Sequence, residues 1–297
     1  MPDDRDPPIQ AVRDAVSRAL AEDVLPLGDL SASLVPPGAE ARFAFVARRE
    51  GVVAGRLCAV EAFRATDPAI CVSWDVPDGT GVSEGDRIAS VEGPLGPILT
   101  AERTALNFVC HLSGVATLTR TFVDVATAAN PAVRILDTRK TTPGLRSLEK
   151  AAVRAGGGFN HRGNLSEAVM VKDNHLAGMS ITDAVAAALR RWPGRMVEVE
   201  CEDSAQVVEA VDAGASVVML DNMSPEQVYV CVGLARGRAA GGHVLVEVSG
   251  RVSVETAPDY AKAGVDLISV GALTHSAPVL DIGLDLLDHD AVTGGDS

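Results

Sequence analysis

The sequence predicts an α/β barrel of parallel strands preceded by a smaller α+β unit. From Val133 onward, short β-branched runs (AVRIL, AVMVK, MVEVE, SVVML, VLVEV and DLISV) alternate with helical stretches, the pattern of repeated βα units joined by right-handed crossovers. Five of these six runs end in an ionisable group (Asp137, Lys172 with Asp173, Glu200, Asp221 and Glu247), and the sixth ends at Gly271. In α/β barrels the chemistry collects at that end of the strands. Upstream of about residue 112, extended runs are separated by tight-turn signals rather than crossovers, which indicates an antiparallel sheet. With six visible strands, the barrel is expected to be smaller or more open than the eight-stranded form.

In chain order, Ala11, Ala15, Val16, Ala19 and Leu20 recur at helical spacing and predict an amphipathic helix over Ile9–Ala21. Extended runs follow at Ala41–Ala47, Gly51–Gly55, Ala69–Val76 and Asp86–Gly93, interrupted by the helical stretch LCAVEAFRA. Pro77-Asp78-Gly79 and Glu84-Gly85-Asp86 mark turns between them. Thr100 is suited to N-cap a helix through ERTALNFVCHL, with Glu102 matching the dipole of its first turn. Ser113-Gly114 then predicts a break before VATLTRTFVDVATA, and the domain junction is placed there, between residues 112 and 113.

In the barrel region, Asp203 or Ser204 is positioned to cap SAQVVEAVDA, which Gly214 ends. Ser224-Pro225 places a cap before Pro at the first helical position, and Ser253 opens a helix closed near Gly264. The tail from Asp290 to Ser297 is small and polar and is expected to fray.

Composition narrows the function classes. The chain has 297 residues, 47% hydrophobic and 22% charged, as expected of a folded globular protein. Aromatics are only 3% and the net charge is -14, which disfavours nucleic acid as a partner. Cys58, Cys71, Cys110, Cys201 and Cys231 are odd in number and form no CxxC pair, so neither a disulfide framework nor a zinc site is expected, but buried reduced thiols are. No apolar leader or membrane-spanning run is evident, giving the expectation of a soluble cytoplasmic protein with no membrane partner.

Against that acidic background, Arg134–His175 holds eight Lys or Arg and four Asp or Glu. Such a window can focus positive potential on a small polyanion. Gly156, Gly157 and Gly158 would let backbone approach a ligand, and Asn160, His161 and Arg162 follow with hydrogen-bonding side chains. Arg146, Lys150 and Arg154 sit at helical i, i+4, i+8 spacing and read as an exposed stripe. Arg139, Lys140, Arg162 and Lys172 flank apparent strands and turns, where a side chain can face a ligand.

Within MVEVE, alternation puts Glu198 and Glu200 on one face. Inward carboxylates need cations, a metal or ligand hydroxyls, so Glu200 and Asp221 are candidates for Mg²⁺ or sugar-hydroxyl binding. A pairing of Glu198 or Glu200 with a core Arg or Lys fits the spacing equally well. The last two strand ends carry Ser249, Gly250 and Gly271, which suit a phosphate cradle on backbone N–H groups.

Several long motifs in order, from about Ala21 to Leu286, resemble the quinolinate phosphoribosyltransferase family: ERTALN, LSGVATLT, DTRKTTPGLR, GGGFNHR, VKDNH, VEVE, LDNMSPE, GVDLISVGALTHS and LDIGLDL. The resemblance implies an N-terminal α/β sandwich domain (residues 1–112), completed by a C-terminal helix over residues 276–290 and packed beside an open α/β barrel (residues 113–275). It also implies transfer of phosphoribose to quinolinate with decarboxylation, and a homodimer with shared active sites. On the matching positions, Arg139, His161, Arg162 and Lys172 would hold the two carboxylates of quinolinate, with Arg103 reaching in from the partner subunit. Lys140, Glu200 and Asp221 would surround Mg²⁺ and phosphoribosyl pyrophosphate, and Ser249, Gly250, Gly271 and His275 would form the phosphate rim.

Two positions depart from the family pattern. The glycine after the NHR motif is displaced by Gly163-Asn164-Leu165, a change that Asn, tolerant of left-handed backbone, can absorb. Arg251 replaces the last glycine of an SGG turn, where it would either crowd the phosphate loop or add a charge-assisted hydrogen bond. Two other readings share these features: a related phosphoribosyltransferase-like protein acting on another pyridine or in molybdenum metabolism, and a non-catalytic dimer that binds phosphorylated ligands. The full set Arg103, Arg139, His161, Arg162 and Lys172 favours quinolinate over the first, and intact Glu200 and Asp221 favour catalysis over the second.

Overall fold

The computed structural model describes residues 6–238 and 244–290. The opening five residues and the expected frayed tail beyond Asp290 lie outside the described residues. The chain divides into two units: Met1–Arg120 with Thr141–Gly157 and Ser276–Ser297, and Thr121–Lys140 with Gly158–His275.

In the first unit, helix α1 (Ile9–Val24) buries Val12, Ala15, Val16 and Leu20, the stripe its periodicity predicts. The extended runs become β1 (Glu40–Ala47), β2 (Gly51–Val52), β3 (Cys71–Trp74), β4 (Gly81–Val82) and β5 (Arg87–Pro94), with α2 (Arg56–Thr66) between β2 and β3. Strand β12 (Ile282–Asp290) completes a four-stranded antiparallel sheet of order β12-β1-β5-β3, and β2 and β4 form a separate ladder. Phe45 of β1 anchors the core, its ring stacked on Trp74 at 5.7 Å and edge-on to Phe63 of α2 at 6.1 Å.

Several local expectations are corrected in this unit. The helix and break expected around residues 100–114 are one continuous helix, α3 (Leu95–Ala129). Thr100 lies inside it and caps nothing, its hydroxyl bonding to the Gly96 carbonyl at 3.1 Å and Asp29 Oδ2 at 3.0 Å. Ser113 and Gly114 are small because other chain segments come close, not because the helix stops. The Ser113 hydroxyl accepts from Ala54 N–H and donates to Ala54 O, and a Cβ on Gly114 would overlap the Pro278 carbonyl. The expected junction at 112/113 lies inside α3, along which the chain passes from the first unit, running to Arg120, into the second.

The C-terminal segment joins this unit as β12 rather than as the expected helix. Ile282, Leu284 and Leu286 alternate with Gly283 and Asp285, a two-residue period that competes with the helical spacing of Leu280, Leu284 and Leu287. The open edge of β1 settles the competition by pairing along its whole length, and a register shift between Arg42 and Phe43 leaves Leu287 unmatched.

Helix α4 (Arg146–Ala155) buries Leu148–Val153, including Lys150 at 6% exposure, so the expected exposed basic stripe is not one. Gly156 serves packing, not ligand approach. A Cβ there would overlap Ala116 O, and Arg120 Nε donates to the Gly156 carbonyl at 2.9 Å.

In the second unit, all six predicted strands form: β6 (Arg134–Leu136), β7 (Val169–Val171), β8 (Val197–Cys201), β9 (Val217–Asp221), β10 (Leu245–Ser249) and β11 (Leu267–Ser269). They make one parallel sheet of order β6-β11-β10-β9-β8-β7, an open barrel with β6 and β7 at its edges. Helices α5 (Asp173–Leu176), α6 (Ile181–Arg191), α7 (Ser204–Asp212), α8 (Pro225–Arg238), α9 (Ala257–Lys262) and α10 (Ala272–His275) fill the connections. Asp203 caps α7 by accepting from Gln206 N–H at 2.9 Å, and Ser224 does the same for Gln227 N–H at 3.4 Å before Pro225 opens α8. Ser253 forms a turn with Thr256, and α9 starts only at Ala257.

Among the described residues no helix is long and apolar enough to cross a membrane. All five cysteines are free. Cys71 is exposed, contrary to the expected burial, because it lies on the edge strand β3.

Candidate active site

A cavity of about 480 Å³ opens at the carboxyl ends of the second unit's strands. Five cationic side chains line it (Arg139, Lys140, Arg162, Lys172 and Arg251) against two carboxylates, Glu200 and Asp221. In a chain of net charge -14, that inversion marks an anion site.

Each side chain reaches the cavity for a local reason. At the end of β6, Asp137 is fully buried and accepts from His161 N–H at 2.9 Å and from Asn160 Nδ2 at 2.6 Å. One buried carboxylate thus ties the segment carrying His161 and Arg162 to the strand end that launches Arg139 and Lys140. Two distances place the Lys140 side chain: a Cβ on Gly271 would lie 3.1 Å from Lys140 Cδ and 3.2 Å from His275 Nε2. Gly271 is thus the gap through which both side chains pass, and Thr274 fixes Lys140 by donating its hydroxyl to the Lys140 carbonyl at 2.8 Å. Neither Gly271 nor His275 lines the cavity directly.

Lys172, after β7, is oriented by its N–H, which donates to His175 Nδ1 at 3.1 Å, and its ammonium pairs with Glu200 of β8. Of the two pairings open for the inward glutamates, Glu200 therefore takes a lysine. Arg162 donates to Ala168 O at 3.2 Å. Burial and the neighbouring Arg139 guanidinium hold its pKa below the usual arginine value, partly offset by Glu198. Two guanidiniums crowded this closely are suited to a ligand carrying two negative charges.

His161 is engaged inside the protein through both ring nitrogens. Nδ1 accepts from Arg162 N–H at 2.8 Å, and Nε2 lies 3.1 Å from Glu198 Oε2 and 3.6 Å from Glu247 Oε2. These three residues form the one His/carboxylate grouping among the described residues tight enough to hold a metal, with donor atoms within 4.8 Å of one another. The sequence places Glu198 on the inward face with a core Arg or Lys as one candidate partner, whereas its partner is His161, and its meeting with Glu247 was not foreseen. The signal was available, since both occupy the penultimate inward position of their strands.

Burial, then the Glu198 charge, push the Glu247 carboxyl up to about 7, opposed by His161 and Ser269. The unfolded chain gives up that proton near pH 4.5, whereas the folded chain holds it to about 7. Stability is therefore lost as pH rises through that window, by at most about 1.4 kcal/mol per pH unit. Glu247→Gln should flatten this slope. Urea denaturation at pH 5, 6 and 7 checks it, and an unchanged slope would place the titration elsewhere.

Asn164 does not adopt the left-handed backbone its identity permits. Glu167 absorbs the displaced glycine instead, accepting from Gly163 N–H at 2.7 Å and from Asn164 Nδ2 at 2.9 Å. Thr138, Met170, Met219, Asn222 and Ser269 complete the cavity wall and were not foreseen. Arg103 belongs to the first unit, exposed on α3, and does not line this cavity.

Residues 29–113 match the N-terminal domain of quinolinate phosphoribosyl transferase, and residues 115–285 match its C-terminal domain. A carboxylating nicotinate-nucleotide pyrophosphorylase of Mycobacterium leprae is 41% identical over 281 residues, covering 93% of this chain and 97% of that one. A decarboxylating quinolinate phosphoribosyltransferase of Nicotiana glauca is 38% identical, covering 94% and 83% respectively. The solved structure of the nicotinate-nucleotide pyrophosphorylase from Francisella tularensis superposes with a TM-score of 0.88 at 38% identity, covering 95% of this chain and 98% of that one.

Proposed function

The chain belongs to the quinolinate phosphoribosyl transferase family, and from that premise we infer how its own residues divide the reaction. The enzyme transfers phosphoribose from phosphoribosyl pyrophosphate to quinolinate with decarboxylation, giving nicotinate mononucleotide, pyrophosphate and CO₂ in NAD biosynthesis. The observation that carries the division of labour is the cavity's five cations set against two carboxylates, because both substrates are polyanions.

Arg139, Arg162 and Lys172 hold the two carboxylates of quinolinate. His161 assists by tying the Arg162 backbone to Glu198 and Glu247, since neither of its ring nitrogens is left for the substrate. Lys140 and the turn at Ser249-Gly250 hold phosphate oxygens, with Gly271 and His275 setting the path of Lys140. When quinolinate nitrogen attacks the anomeric carbon, the bond to pyrophosphate breaks and positive charge develops on the ribose ring. Glu200 and Asp221 are placed to stabilise that charge and the ring hydroxyls. The carboxylate beside the new pyridinium then leaves as CO₂, its electron pair taken up by the ring carbon, which acquires a proton. Neither step requires a strong base, so catalysis is positioning and electrostatics.

Glu200 and Asp221 are hard oxygen donors at the ends of adjacent strands on one cavity wall, which fits a site for Mg²⁺ completed by substrate phosphates. When bound there, the ion would neutralise charge on the departing pyrophosphate. Arg103, exposed on α3, completes the cation set from the partner subunit of a homodimer.

The test is product formation by purified protein given phosphoribosyl pyrophosphate and Mg²⁺. Quinolinate should yield nicotinate mononucleotide, whereas nicotinate, lacking one carboxylate, should be used at least about tenfold less efficiently. Excess chelator should abolish turnover. Binding of phosphoribosyl pyrophosphate without turnover would instead make the protein a phospho-ligand binder, and preference for nicotinate would overturn the dicarboxylate assignment.

A further inference from the structure

Arg251 is one of three non-glycine described residues with positive φ, at 45°, and it follows Gly250 at 90°. Left-handed backbone is disfavoured for a residue with a long side chain and persists where the surroundings or a function hold it. Gly250 is obligatory in this turn, because a Cβ there would overlap Asn222 Oδ1. Nothing comparable requires arginine at the next position. The strain is therefore retained with no steric reason for that side chain.

What the arginine gains is its place in the cavity wall. Its side chain lines the site beside Ser249, Gly250 and Asn222, it is exposed, and it makes no hydrogen bond or ion pair with any described residue. Arg139, Arg162 and Lys172 differ, each already engaged within the protein. The backbone N–H groups of Gly250, Arg251 and Val252 also donate to no described residue. Successive free N–H groups in a turn form a concavity that fits an anion. Five unused donors on a guanidinium in the same cavity wall match the tetrahedral oxygens of a phosphate monoester.

We propose that Arg251 is a substrate-binding residue of this chain that clamps the phosphate monoester of phosphoribosyl pyrophosphate against the Ser249–Val252 turn. This rests on the functional reading above and answers how the departure at Arg251 acts: it adds a phosphate contact rather than crowding the loop. Asp221, on the neighbouring strand, bears a charge that repels phosphate, and the arginine offsets it.

Three variants test this: Arg251→Gly removes both charge and strain, Arg251→Ala removes the charge alone, and Arg251→Lys keeps the charge without the planar fork. Wild-type turnover of quinolinate is established first, so that failure of the functional reading is seen separately. The Gly and Ala variants should each raise KM for phosphoribosyl pyrophosphate about tenfold or more, leave KM for quinolinate within about twofold, and weaken competitive inhibition by inorganic phosphate in parallel. Arg251→Lys should recover part of the loss. Arg251→Gly should also melt at a higher temperature than wild type, because glycine adopts the turn without strain. An unchanged or lower KM for phosphoribosyl pyrophosphate in Arg251→Gly would overturn the proposal, as would equal rises in KM for both substrates.

Discussion

Arg162→Ala is expected to raise the dissociation constant for quinolinate by about 100-fold or more, and Arg139→Ala and Lys172→Ala by about tenfold or more, with phosphoribosyl pyrophosphate kept within about threefold. A charge-assisted hydrogen bond is worth roughly 1.5 to 3 kcal/mol, and each 1.4 kcal/mol is about tenfold in affinity. Arg162 heads the order because burial and the neighbouring Arg139 hold its pKa down, which marks a charge only partly screened by water. It is also the cation whose backbone is fixed by His161, which reduces the entropy lost on binding. Removing Arg139 relieves some repulsion on Arg162, which softens its effect. Lys172→Ala has a second consequence, since Glu200 loses its partner and then repels the dianion. Titration calorimetry with each substrate separately measures the split. Equal losses for both would mean that these cations do not divide the cavity as assigned.

The second large effect concerns Arg103. In the structure Arg103 makes no ion pair or hydrogen bond among the described residues and stands exposed on α3. A two-fold dimer in which each subunit lends this cation to the other's cavity gives it a partner. Arg103→Ala and Lys172→Ala should each be nearly inactive alone. When subunits exchange, a heterodimer then carries one cavity with both lesions and one with neither, restoring about half the wild-type activity per heterodimer. Absence of recovery despite demonstrated exchange, by native mass spectrometry, would place Arg103 in its own subunit's site or outside any site.

The parts of this fold that could be read from sequence are those where local pattern and tertiary outcome agree. All six barrel strands and the capped helices α7 and α8 are legible because β-branched runs, turn residues and caps point the same way. The failures occur where tertiary contact overrides a local signal. Ser113-Gly114 looks like a break, yet it is a place where Ala54 and Pro278 press on a continuous helix. The segment from Ile282 has both a helical and a strand period, and only the free edge of β1 chooses between them. Lys150 looks like a surface charge on spacing alone but is buried in α4.

The cavity was legible at its rim and not at its base. Nine of the twelve residues assigned to the site from sequence line it, because barrel geometry sends strand ends to one mouth. The base depends on which strands are neighbours. Glu198 of β8 and Glu247 of β10 meet across β9 beneath His161, an encounter that requires the strand order β10-β9-β8. Spacing along one chain segment contains no such information. Arg251 was visible as an oddity, but its left-handed backbone is a property of the folded turn alone.

The most direct measurement of the central claim, that one cavity sorts a dicarboxylate and a phosphate to separate groups of cations, is a crystal structure of the protein with quinolinate alone. The expected result is quinolinate at the strand ends of the barrel unit, its carboxylate oxygens about 3 Å from the side-chain nitrogens of Arg139, Arg162 and Lys172. The Ser249–Val252 turn should be left clear of it. Quinolinate seated on that turn, or bound only in the first unit, would contradict the assignment.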